Sequence, residues 1–331
     1  MIGKRSLTLT PWVDRGLYLR VVLLALAFAP RAAAQQIRPP VSALSFMAGG
    51  QLVAVGSQEG VQIVRWSDLK TICELPSDLV NIHQLALSPD GHRLAVAGGD
   101  PGIRGRIEVF DVSKLESDPT VAPGPSIVLD VHDDSVLDVC WTGNHTLATA
   151  SLDHKIMLWD LTEQKAERTL AGHSRGVTAL ARISDGLLVS GSIDQHLRIW
   201  NDESGEIERS LNNHTGAVHG ISLRPRTSGL PMIASSAEDR TVRFWQPTIG
   251  RMVRFAKLPS PALGLAWTAD GNIVWACAAD GFVYSIDLLT TEISRSVQVF
   301  ERSCYRIVIH PQEQVALVGG PNHGLRKIPI D

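Results

Sequence analysis

The chain has 331 residues, 44% hydrophobic and 20% charged, with 28 glycines and 18 prolines; that composition belongs to a folded protein with a sizeable core and excludes collagen-like or largely disordered chains. The net charge of −3 hides an imbalance, because residues 1–34 hold Lys4, Arg5, Arg15, Arg20 and Arg31 against Asp14, a local +4 that leaves −7 elsewhere. A net-acidic body lacks the Lys/Arg excess that neutralises phosphates, so nucleic acid is not expected as a partner.

First in chain order is a predicted signal peptide over residues 1–34. A basic stretch ending at Arg20 precedes the apolar run Val21–Ala29, and Ala32–Ala34 supply a small-residue site with cleavage expected after Ala34. Nine apolar residues fall well short of the roughly 20 that span a bilayer. The mature chain, 35–331, is therefore expected to be exported, periplasmic or secreted, without stable membrane insertion; an uncleaved anchor is the alternative. Cys73, Cys140, Cys277 and Cys304 lie far apart with no CxxC pair, which supports no zinc ribbon, redox pair or haem attachment. They read as buried thiols, although an oxidising compartment allows one bridge.

Sliding the chain against itself exposes a repeat. Residues 146–160 read TLATASLDHKIMLWD and 187–201 read LLVSGSIDQHLRIWN, offset by 41; residues 232–246 and 273–287 continue the pattern. Asp153, Asp194, Asp239 and Asp280 each stand six residues before Trp159, Trp200, Trp245 and Ile286, and His132, His173 and His214 recur 41 apart. The longer third interval is absorbed by the insertion Pro225–Pro231.

Within one unit four short strands are predicted: a (Val177–Ala181), b (Leu187–Ser192), c (Leu197–Trp200) and d (Ile207–Leu211), with turn residues at every joint. A period near 40 with four strands per unit is that of a β-propeller blade. Seven units are expected, near 41–75, 80–129, 132–170, 173–211, 214–258, 259–299 and 300–331, giving an all-β, seven-bladed propeller of four-stranded antiparallel blades. The first unit shifts its Trp66 by one position and lacks the His. In the second, Gly98–Arg106 is read as a long b–c loop and Lys114–Ser126 as a solvated linker. The last unit runs out after strand c, so Gln35–Arg38 is expected to supply its fourth strand.

Through Gly172-His173, the turn Asp194 and the closing Trp200-Asn201, with Trp159-Asp160 as one full WD pair, the chain resembles the WD-repeat family. The resemblance implies buried networks joining the His, a strand-b hydroxyl, the turn Asp and the Trp of each blade. Those sets are His132, Asp153 and Trp159; His173, Asp194 and Trp200; and His214, Asp239 and Trp245. The hydroxyl stays open between Ser190 and Ser192 in the middle set. Residues recurring once per blade are spread around a ring, which argues against a convergent catalytic or metal site. No phosphate loop, Gly-x-Ser-x-Gly elbow or His-Glu-x-x-His is present.

No catalytic residue, metal or cofactor is therefore expected. The resemblance implies a rigid platform that binds a protein or peptide; with no catalytic signature, a non-enzymatic scaffold is expected, monomeric by itself. Its expected surface is the face of the d–a and b–c connections, with candidates Asp133, Asp134, Arg175, Glu238, Arg240, Arg104 and Arg106. The alternative is an exported propeller enzyme, a hydrolase or oxidoreductase, with its site in the central channel.

Overall fold

A computed structural model describes residues 38–118, 122–184, 186–225 and 229–330. Short strands of alternating or continuous apolar pattern, each stopped by a turn, pair in sequence order into seven antiparallel sheets set in a ring, a β-propeller of four-stranded blades. Six sheets have all four strands among the described residues and the seventh has three, Arg306–Ile309, Val315–Gly319 and Leu325–Pro329. Gln35–Ile37, the greater part of the expected fourth strand, lie outside the described residues, as does the predicted signal peptide.

Burial grades from strand to strand for a plain reason. Strand b is sandwiched between neighbouring blades, so Leu52–Ser57, Thr146–Ser151 and Leu187–Ser192 are buried almost throughout. Strand d is a rim edge, and Lys165–Ala171 and Ile207–Leu211 each bury a single residue. Small residues on strand b let blades approach: a Cβ at Gly191 would come within 2.5 Å of Val218 on the next blade. The core is accordingly a series of interblade layers, such as Val189, Leu197 and Ile199 of blade 4 against Val218, Ile233 and Trp245 of blade 5.

Two expectations for blade 2 are corrected. The presumed loop Gly98–Arg106 is an extended hairpin, because strands Arg93–Asp100 and Arg104–Asp111 pair Gly98 with Arg106 and Asp100 with Arg104 around the turn Pro101–Ile103. Gly99 takes a φ of +148° in that hairpin, a backbone position open chiefly to glycine. The stretch after Lys114 is anchored rather than solvated: Leu115 is buried with the blade 1 core and Glu116 accepts the Gly49 N–H at 2.7 Å.

The ring is closed where blade 1 meets blade 7. The Val41 N–H donates to Gly320 O and the His323 N–H to Pro39 O, both at 3.0 Å. Trp66, lying one residue past strand c (Gly60–Arg65), leaves its own blade for the next. Its indole N–H donates to Glu313 at 3.0 Å, its ring stacks on His310 with centroids 4.8 Å apart, and the Lys327 ammonium sits 3.7 Å from its ring centre.

Candidate functional site

Three blades carry the same hydrogen-bond chain. In blade 3 the Trp159 indole N–H lies 3.1 Å from Thr149 Oγ1, which lies 2.7 Å from His132 Nε2, and His132 Nδ1 lies 2.9 Å from Asp153. Blade 4 repeats it through Trp200, Ser190, His173 and Asp194, and blade 5 through Trp245, Ser235, His214 and Asp239, with distances of 2.8, 2.7 and 2.9 Å in each. One polarity satisfies every atom: the indole donates to the hydroxyl, the hydroxyl to Nε2, and Nδ1–H to the carboxylate. The hydroxyl is thus Ser190. Ser192 instead reaches back to the Gly176 carbonyl and accepts the Asp194 N–H.

The carboxylate also fixes the loops. Asp194 accepts the N–H of Ser174 in the d–a connection at 3.0 Å and of His196 in the b–c turn at 3.1 Å; Asp239 does the same for Thr215 and Thr241. His154, Gln195 and Arg240, just after each Asp, hold φ of +74°, +74° and +60°. Each network therefore ties two neighbouring connections into one rigid corner, and a polar chain inside the blade shapes the surface above it.

Protonation follows from burial. Desolvation holds His173 and His214 below the usual imidazole value, against the pull of Asp194 and Asp239. Burial also pushes Asp194 and Asp239 upward, but hydrogen bonds and charge outweigh it and bring both to about 2. Both shifts point the same way for stability, because the unfolded chain takes up protons first in each case. The contribution of the histidines is complete above pH 6.5 and is lost as pH falls below it; that of the aspartates is lost below 3.8 and on toward 2. The melting midpoint is expected to fall as pH is lowered from 7 to 5. His173→Ala should cost about 1–3 kcal/mol at pH 7 by orphaning buried partners and should show a shallower fall over that range; thermal scans at both pH values check this, and an equal slope in both proteins contradicts it.

Blade 6 departs from the pattern. Its Asp280 has no His, and the Tyr284 hydroxyl donates to it at 2.7 Å, four residues along the chain. Burial and that carboxylate raise the Tyr284 pKa, so the phenol stays protonated.

The loop-face candidates separate into paired and unpaired groups. Asp133 meets Lys155 at 3.0 Å, Glu238 meets His219 at 2.8 Å, and Arg104 meets Asp100 at 3.3 Å. Asp134 accepts the backbone N–H of Gly102 and of Ser135, which fastens the blade 2 hairpin to blade 3. Arg106 stands on strand c rather than in a loop, with both carboxylate oxygens of Asp130 on the adjacent outer strand at 2.8 and 3.3 Å. Arg175 and Arg240 are exposed and, among the described residues, have no ion-pair partner.

Inside the ring, all seven a strands line one cavity of about 250 Å³. Arg306 of blade 7 crosses it, donating to the Leu263 carbonyl of blade 6 at 3.3 Å and the His83 carbonyl of blade 2 at 3.1 Å. Asp138 of blade 3 is buried, which raises its pKa; it accepts from Gln84 of blade 2 and from the Leu180 N–H of blade 4 at 2.8 and 2.7 Å. The repeat gives no warning of Arg306, since no other blade carries its equivalent. The four cysteines are free, and among the described residues no group of His, Cys, Asp or Glu is arranged to hold a metal.

Residues 124–160, 164–201 and 205–246 match the family model described as WD domain, G-beta repeat. Each match begins at the outer strand of one blade and ends on strand c of the next, so the sequence unit straddles two blades. The chain is similar to WD repeat-containing protein VIP3 of Arabidopsis thaliana, 24% identical over 217 residues, which is 60% of this chain and 67% of that protein. It is also similar to WD repeat-containing protein AAC3 of Dictyostelium discoideum, 29% identical over 75 residues, covering 23% of this chain and 15% of that one. Fold, networks and matches together support the WD-repeat family.

Proposed function

We propose that this propeller is a non-enzymatic interaction scaffold, exported from the cell that makes it, which binds a protein or peptide through the d–a/b–c face. The observation that carries the reading is the fastening of the b–c turns to the d–a connections by buried His–Asp networks in three consecutive blades, which gives a preformed surface at little ordering cost. Arg175 and Arg240 stand exposed on that surface without ion-pair partners among the described residues. The family resemblance supports a binding role, and the residue pattern of 1–34 supports export. Arg306 and Asp138 are engaged in joining blades across the channel, which favours the scaffold over the channel enzyme.

The test is capture by the immobilised mature protein from the host's extracytoplasmic fraction, followed by identification of what is held. Arg175→Glu/Arg240→Glu is expected to reduce capture at least tenfold with an unchanged melting midpoint. Undiminished capture by that variant, or a stoichiometric metal or quinone in the purified protein, overturns the reading.

A further inference from the structure

The charge of the chain is unevenly placed. Between Asn212 and Ser260, blade 5, stand seven cations and two carboxylates, in a protein whose net charge is −3. Of the two carboxylates, Asp239 is held in the buried network and Glu238 is engaged by His219. The cations gather along the outer strand Arg251–Lys257, which has exposed Arg251, Arg254 and Lys257 and no acidic residue. Arg240 flanks one end of this strand, and its carbonyl accepts the Leu258 N–H at 2.8 Å. Arg209 of blade 4 flanks the other, held against the preceding turn by a 3.1 Å bond to Thr248 O. Among the described residues none of these five has an ion-pair partner; Asp287 of blade 6 feels the charge of Arg254 but is occupied with its own turn. Other outer strands differ: Lys165–Ala171 mixes both signs, and Pro125–His132 carries Asp130 alone, paired with Arg106.

The strand also offers backbone. Leu258 N–H points inward to Arg240 O, and by the alternation of antiparallel pairing Arg254 and Ala256 point inward too, paired with Phe244 and Val242. Phe255 and Lys257, in the pairs between these, are left with N–H and C=O directed outward from the rim, and the regular edge ends at the bulge around Val253. Phe255 is half exposed, with the Arg243 guanidinium 5.4 Å from its ring centre. Cations on an edge also keep identical edges apart, yet the neighbouring edges do so without an unpaired single-sign cluster or an exposed aromatic ring. The geometry points to a second docking surface: the rim of blade 5 takes an acidic, extended peptide segment of a partner as a fifth strand, with carboxylates on Arg251 and Arg254 on one face and an apolar side chain on Phe255 on the other. This inference shares only Arg240 with the loop-face reading and is tested on residues outside it. Nucleic acid is disfavoured because the acidic remainder of the chain repels phosphates beyond the strand.

The probe is a fluorescent, alternating Glu-Val decapeptide titrated into the mature protein at low salt, beside a Lys-Val decapeptide and a single-stranded oligonucleotide. The Glu-Val peptide is expected to bind at least tenfold tighter than either control, to weaken with salt, and to lose at least tenfold in Arg251→Glu/Arg254→Glu. Phe255→Pro, which removes one outward N–H together with the exposed ring, should lose as much with its melting midpoint unchanged. On the unaltered protein the peptide should slow amide exchange at Phe255 and Lys257 more than at any other outer strand, a readout independent of whether the variants fold. Equal or tighter oligonucleotide binding, unchanged affinity in the charge-reversed variant, or exchange protection located elsewhere overturns the proposal.

Discussion

Trp245→Ala is expected to lower the unfolding free energy by about 3–5 kcal/mol, the range for truncating a large buried aromatic side chain. Trp245 is fully buried in the layer between blades 4 and 5, against Val189, Leu197, Val218 and Ile233. Its truncation opens a cavity where two blades meet and also removes the donor to Ser235. Trp245→Phe separates the two effects, since it keeps most of the volume and loses only the N–H; its cost should be nearer 1 kcal/mol. Urea denaturation of the three proteins measures both, and a loss below about 1 kcal/mol for the alanine variant contradicts the packing described.

Trp66→Ala should cost a similar amount, about 3–5 kcal/mol, but with a different distribution. Trp66 is 3% exposed and spans the closure of the ring, bound to Glu313 and stacked on His310. Blades in a repeat architecture contact chiefly their neighbours, so weakening this one junction should loosen blades 1 and 7 first. Amide exchange is expected to speed at Ala43–Phe46 and Leu325–Pro329 while Leu187–Ser192 of blade 4 changes least. Uniform acceleration around the ring would mean that closure does not depend on this cluster.

These two tryptophans also mark what the sequence discloses. Trp245 is found by spacing alone, because a residue six positions after a turn Asp falls on one face of strand c in every blade. Trp66 is visible as a one-residue slip, and a slip of one turns a side chain to the opposite face; the pattern locates the anomaly, while its partners Glu313 and His310 lie about 250 residues away and share no repeat with it. The strand-b hydroxyl is ambiguous in the sequence for a similar reason: Ser190 and Ser192 are two apart and share a face, and only the depth of Trp200 in the blade selects Ser190. Gly98–Arg106 reads as a loop because its glycines suggest turns, whereas they allow close backbone approach in a hairpin: a Cβ at Gly99 would lie 2.3 Å from Arg104 O on the facing strand. Unrepeated contacts such as Arg306 across the channel leave no periodic trace.

The reading of this propeller as a scaffold rests most directly on where a captured partner covers it. Amide exchange of the mature protein, free and bound, should show protection at the b–c turns Asp153–Lys155, Asp194–His196 and Asp239–Thr241 and at the d–a connections beside them. Protection confined to the opposite face, at the a–b and c–d connections, would contradict it.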